Sequence, residues 1–209
     1  MTTETLTATN ASPAGRLAAI SWSAGKDACL ALLRAREAGW DVRTFVTMCD
    51  ADGTSKSHAL APADVAAQVA ALGGVLRAVA VPDGDPGAYG RCFDAVLAAL
   101  KDSGHVAVVF GDIDLQAHRD WLAPRCAQAG LQALFPLWGE PRAALAQEIL
   151  TRGIRARLVR VDERRLDTRF VGREYDAALL AELPAGVCPC GEDGEFHTFV
   201  HDAPGMVRA

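Results

Sequence analysis

Positive charge is not in excess in this 209-residue chain: 21 Lys and Arg stand against 26 Asp and Glu, a formal net charge of −5. That balance argues against a nucleic-acid or anionic-membrane partner held by bulk electrostatics, although a local basic groove stays open. No apolar run approaches the roughly 20 residues that a membrane-spanning helix needs. The opening stretch, MTTETLTATNASPAG, has neither a basic start nor an apolar core. It therefore lacks the pattern of a secretory signal and reads as a disordered tail over 1–15. Six cysteines in a chain without an export signal point to reduced thiols and a cytoplasmic location. A second cysteine pair is missing too. Cys188 and Cys190 form a lone C-x-C, whereas a metal site usually draws four ligands from C-x2-C-type spacing, so a loop role is favoured over a metal or redox one. Half of the residues are apolar, enough for the core of one large domain or of one domain with a smaller lobe. The sequence leaves a homodimer open.

Strand and helix patterns alternate through the first two thirds. Leu17 to Trp22 is an apolar run, and after Ser23-Ala24-Gly25 the apolar residues Cys29, Leu30, Leu32 and Leu33 recur at helical spacing. VRTFVTMC (42–49), VLRAVAVP (75–82), HVAVVF (105–110) and LQALFPLW (131–138) read as further strands. Helical patterns lie between them, one opened by Pro62 and closed by Gly73. Pro124 falls inside the fourth helical segment, which predicts a kink or a late start there. Five strands interleaved with helices imply an α/β fold, a doubly wound parallel sheet whose ligand sits beyond the carboxyl ends of the strands where strand order reverses. The SAGKDA turn and the GDI turn at Gly111 and Asp112 each follow a strand at that edge. With the first and fourth strands adjacent, the two turns face one crevice. The texture changes near residue 137. Residues 16–136 read as the nucleotide-binding domain and 137–209 as a smaller C-terminal α+β lobe carrying the substrate side.

A short strand-to-helix turn of small residues exposes backbone N–H groups at the positive end of a helix, which suits an anion. An ordinary βα turn with a surface lysine is the alternative. The Walker pattern is absent, because Asp27 follows Lys26 and the first glycine is missing. The turn resembles the PP-loop, S-G-G-K-D-S, of the N-type ATP pyrophosphatases, which have an adenine nucleotide α-hydrolase-like fold. Ala24 and Ala28 depart from it. A methyl at position 24 is expected to be tolerated only with φ below zero.

Near the C-terminus, CGEDGEFHTFVHDAP (190–204) is similar to the signature C-G-E-x-G-E-F-x-T-x-V-x-D-A-P of the diphthine–ammonia ligase family. VFGDI, HRDWL and LFPLW fall in that family's order between the two motifs. The resemblance implies an ATP-dependent, AMP-forming amide ligase that uses Mg2+. A carboxylate is adenylated, pyrophosphate leaves, and ammonia displaces AMP. The acceptor would be protein-borne diphthine or a small-molecule carboxylate. A PP-loop enzyme acting on tRNA or another small molecule, and a non-catalytic ATP-binding module, are the rival readings.

Under this resemblance Ser23, Ala24, Gly25, Lys26, Asp27, Gly111 and Asp112 hold ATP, and Asp27 also holds the metal. Lys26 and Arg119 would screen the meeting of two anions. Glu192 and Glu195, beside His197, would bind ammonium, take its proton or position the acceptor. His58, in a loop after the second strand, and Trp138, at a strand end, are further substrate candidates. Each has a structural alternative: a solvated turn for the carboxylates, a surface position for His58 and Arg119, a core position for Trp138.

Overall fold

Ala18, Ala19 and Ile20 follow one another without a polar residue between them and expose no surface, as befits a strand covered on both faces. They form the middle of β1 (Arg16–Ser21) in the computed structural model, which describes residues 16–207. The expected tail at 1–15 lies outside the described residues. β2 (Trp40–Cys49), β3 (Val75–Ala80), β4 (Ala107–Val109) and β5 (Gln132–Leu134) complete a sheet in the order β3-β2-β1-β4-β5. Every pairing in it is parallel.

The helices between these strands cover both faces. α1 (Lys26–Glu37) and α2 (Pro62–Ala71) pack on Ala18 and Ile20, while α3 (Ala88–Asp102) and α4 (Gln116–Gln128) pack on Ala19, Val46 and Val108. Successive residues of β1 thus serve opposite faces, the period of two that a strand imposes. Strand order reverses between β1 and β4, so the turns after these two strands are neighbours, as expected for a doubly wound sheet.

The C-terminal elements build on the α1 face. α5 (Arg142–Thr151) buries Leu145, Ala146 and Ile149 in the same apolar cluster as Leu30 and Leu33. Arg34 of α1 ties it down, donating to Glu148 and Glu140 and, at 2.8 Å, to the carbonyl of Pro136. β6 (Arg155–Val161) and β7 (Phe196–Asp202) form an antiparallel pair, with a 3-10 turn at Thr168–Phe170 and α6 (Ala177–Glu182) between them. The amide of Val200 in β7 donates to the carbonyl of Ala24 at 3.0 Å, which joins the last strand to the turn after the first.

Two local expectations are corrected. β5 stops at Leu134 instead of running to Trp138, because Pro136 has no N–H to give a ladder. α4 starts well before Pro124 and continues through it. The glycine-rich segment at 188–195 is a loop feeding β7, whose antiparallel partner is β6. No helix among the described residues is long and apolar enough to cross a membrane.

Candidate active site

The turn after β1 is held by the chain's far end. Ala24 adopts φ of +66°, contrary to the expectation that its methyl requires a negative φ. A left-handed alanine costs roughly 1–2 kcal/mol, and the conformation persists because its surroundings fix it. The Ala24 carbonyl accepts from Val200 N and, at 3.1 Å, from Gln68 Nε2. Gln68 in turn accepts from the Trp22 indole at 2.8 Å and is buried. The Gly25 amide donates to Ser23 Oγ at 3.3 Å, and the Lys26 amide donates to Thr198 Oγ1 at 3.2 Å.

Lys26 is 2% exposed. Its ammonium donates to the Cys190 carbonyl at 2.5 Å and to Asp27 Oδ2 at 2.8 Å, with the Tyr175 and Phe196 rings each 5.3 Å away. Burial alone would lower its pKa, but Asp27, Cys190 and Glu192 together outweigh that and hold the group above its ordinary value. The other carboxylate oxygen, Asp27 Oδ1, is buried and has no hydrogen-bond partner. An unpaired buried carboxylate oxygen is costly and suits a hard cation.

Two glycines owe their place to close approach. A Cβ on Gly25 would lie 2.5 Å from His58 Cε1, and one on Gly111 would lie 2.8 Å from the Ala28 amide nitrogen. The GDI turn therefore packs directly on the start of α1. Asp112 of that turn accepts from His118 at 2.8 Å. His58 contacts the Thr198 carbonyl through Nδ1 at 2.9 Å and sits 4.8 Å from the His197 ring. Burial, the neighbouring His197 and Lys26 push His58 down to about 3, so it is a neutral Nδ1–H tautomer at ordinary pH. His197 is lowered as well, mainly by burial.

A cavity of about 940 Å³ opens over these groups. Ser23, Lys26, Asp27, His58, Gly111, Asp112, Glu192, His197 and Thr198 all line it. The two glutamates part company here. The Glu192 carboxyl is pushed up to about 7, first by burial and then by the Asp27 carboxylate, against Lys26 and a hydrogen bond from the Ile113 amide. Glu195 is 2% exposed and outside the cavity wall; its oxygens accept from the amides of Cys188 at 2.9 Å and Asp193 at 3.1 Å. Glu195 is thus placed away from the cavity expected for it, with each of its oxygens accepting from a backbone amide of its own loop.

Arg119 and Trp138 are likewise placed elsewhere. Arg119 is exposed and lies 4.7 Å from the centre of the Trp138 ring, and neither residue lines the cavity. Cys188 and Cys190 are buried free thiols, and no cluster of three His, Cys, Asp or Glu side chains able to hold a metal occurs among the described residues. Sequence reasoning missed Gln68 and Thr198. Gln68 had a signal: it is a polar residue sharing the apolar face of α2 with Val65 and Val69. It also missed the Tyr89, Trp121 and Arg125 part of the wall, where Tyr89 comes from a different helix than the other two and no motif links them.

Residues 16–133 match the diphthamide synthase N-terminal domain and residues 141–208 match the diphthamide synthase C-terminal domain. A diphthine–ammonia ligase from Bos taurus is 27% identical over 209 aligned positions, covering 87% of this chain and 77% of that protein. One from Danio rerio is 33% identical over 116 positions, 52% of this chain and 45% of that protein. The chain thus spans under half of the length of the Danio rerio relative. A solved structure, titled a predicted subunit of tRNA methyltransferase from Methanocaldococcus jannaschii, aligns with a TM-score of 0.49 at 14% identity, covering 91% of this chain and 100% of that one. With matches to both domains that together span most of its length, the chain belongs to the diphthamide synthase family.

Proposed function

We propose that the protein is an ATP-dependent, AMP-forming amide ligase that activates a carboxylate and transfers it to ammonia. One observation carries the reading: a phosphate-type βα turn presents a buried, unpartnered carboxylate oxygen, Asp27 Oδ1, to the same cavity as a near-neutral carboxyl, Glu192. The turn at Ser23, Ala24, Gly25 and Lys26 binds the β and γ phosphates through backbone N–H groups and a cation. Gly111 and Asp112 close the nucleotide side of the crevice. Asp27 fits Mg2+, which when bound neutralises charge on the leaving pyrophosphate.

The acceptor carboxylate attacks the α-phosphorus, pyrophosphate departs, and ammonia then attacks the acyl carbon as AMP leaves. Ammonium must lose a proton before it can attack. Glu192 accepts that proton, a role for which a carboxyl titrating near neutrality is matched. His58 and His197, both neutral, offer hydrogen bonds without adding charge beside Lys26. Glu195 acts by holding the 188–195 loop that carries Glu192 and the Cys190 carbonyl. This loop borders the cavity through Cys190, Gly191 and Glu192 and would limit the water that otherwise competes with ammonia for the activated acyl group.

Phosphorus NMR on the protein with Mg-ATP, ammonium chloride and a panel of small carboxylic acids tests the reaction class. AMP and pyrophosphate support the ligase. ADP and orthophosphate mean phosphoryl transfer and overturn it.

A further inference from the structure

The cavity is chemically divided. Its carboxyls, Asp27, Asp112 and Glu192, gather about the phosphate turn, as their mutual influence on Glu192 shows. The remaining wall, from the N-terminal end of α3 and the middle of α4, is aromatic and basic. Tyr89 and Trp121 lie 5.7 Å apart, tilted by 52°, and the Arg125 guanidinium sits over the Trp121 ring, 4.3 Å from its centre. Lys56 also lines the cavity, and Tyr89 lies within electrostatic reach of the Asp112 carboxylate and, more weakly, of Lys56.

Both cations of this wall are fixed from behind. One terminal nitrogen of Arg125 donates to both Asp94 oxygens, at 2.7 and 2.6 Å, and Lys56 is paired with Asp50. Neither Asp94 nor Asp50 belongs to the cavity wall. Arg125 therefore keeps its other terminal nitrogen and its Nε–H free of Asp94, on a planar group immobilised by the indole. An adenine ring would use the aromatic faces but has no charge for two flanking cations to recognise. A quaternary ammonium would use the same faces and be repelled by those cations.

We propose that Tyr89, Trp121, Arg125 and Lys56 form an acceptor subsite for the distal part of the carboxylate substrate: a planar or aromatic body bearing a second anionic group. The proposal rests on the ligase reading, since it supplies that reaction with a substrate class, an aromatic or planar diacid. The aromatic pair takes the flat body, and Arg125 with Lys56 takes the distal anion. The reacting carboxylate is then left toward the phosphate turn.

Calorimetry on the full chain, saturated with Mg2+ and the non-cleavable analogue α,β-methylene-ATP, separates the two claims. The probes are isophthalate, benzoate and phenyltrimethylammonium. Isophthalate is expected to bind about tenfold more tightly than benzoate, the scale of one charge-assisted contact, and phenyltrimethylammonium more weakly than either. Arg125→Gln should abolish the preference for isophthalate, and Tyr89→Leu, at a 40% exposed position, should weaken both acids. Neither variant should change the affinity for the ATP analogue. No binding of isophthalate at tens of millimolar, a preference for the quaternary ammonium, or an unchanged preference in Arg125→Gln overturns the subsite. Loss of analogue affinity in either variant also overturns it and assigns the wall to adenine. Failure of the wild type to bind the analogue is a different result, one that counts against the ligase reading itself.

Discussion

The ammonium of Lys26 donates to the carbonyl oxygen of Cys190, 164 positions later in the chain, at 2.5 Å. The first turn of the sheet and the last loop of the protein are thereby one structural unit. Lys26 N to Thr198, Ala24 O to Val200 and Gln68 between them extend the same join. In the proposed reaction, phosphate binding and control of water over the cleft depend on this single seam.

The seam makes Gly25 sensitive for a reason unrelated to backbone freedom, since its φ is −89°. Gly25→Ala places a methyl against the His58 ring and is expected to destabilise the protein by about 1–3 kcal/mol, the usual cost of overpacking. Replacing His58 by alanine removes the obstacle. The double variant Gly25→Ala/His58→Ala should be more stable than the sum of the single effects implies, a coupling that chemical denaturation measures. Additive effects would mean that the two side chains do not meet.

Ala24 is expected to tolerate glycine and reject branching. Ala24→Gly relieves left-handed strain but gives up a buried methyl worth about 0.8 kcal/mol, so its unfolding midpoint should stay close to that of the wild type. Ala24→Val combines φ of +66° with a β-branched side chain at a position exposing no surface. It should lose about 2–3 kcal/mol or fail to accumulate. Equal stability of the two variants, read by thermal melting, would contradict the left-handed turn.

Glu192 and Glu195 are separated by two residues, and their replacement by glutamine should act on stability in different ways. Native Glu192 keeps its proton up to about pH 7, while the unfolded chain releases it near 4.5. The native state therefore binds more protons between those values, and the stability this supplies is lost as pH rises through the window. Glu192→Gln removes that loss, so its urea midpoint should gain on the wild type between pH 5 and pH 8. Glu195→Gln turns an amide N–H toward a backbone donor and should cost about 1–3 kcal/mol at both pH values, the price of a buried donor left unpaired. A Glu192→Gln offset that is the same at both pH values would refute the raised pKa.

Much of this was legible in the residues. The apolar runs at 17–22, 42–49, 75–82, 105–110 and 131–138, with helical spacing between them, pointed to five parallel strands, because periodicity is a local property of the chain. The turn at 23–27 and the 190–204 signature brought the two halves of the site together on paper before distance did. What could not be read was direction. Glu192 and Glu195 look alike in sequence, yet one faces the cavity and the other the backbone of its own loop. Arg119 follows the GDI turn in sequence, yet it covers Trp138, and the arginine that lines the cavity is Arg125, further along α4. Ala24 departed from the favoured glycine, and only the contacts made by Val200 and Gln68 explain how an alanine is held there.

Titration calorimetry of Mg-ATP into the wild type and Lys26→Ala tests the central claim that the 23–27 turn is the nucleotide phosphate site. Binding by the wild type is expected, with affinity lost by about 1–3 kcal/mol in the variant, roughly 5- to 150-fold, as befits one charge-assisted hydrogen bond. The Cys190 carbonyl freed by the substitution costs folding stability, so circular dichroism of the same sample establishes that the variant is folded. Identical affinities in two folded proteins, or no binding by the wild type, would contradict the assignment.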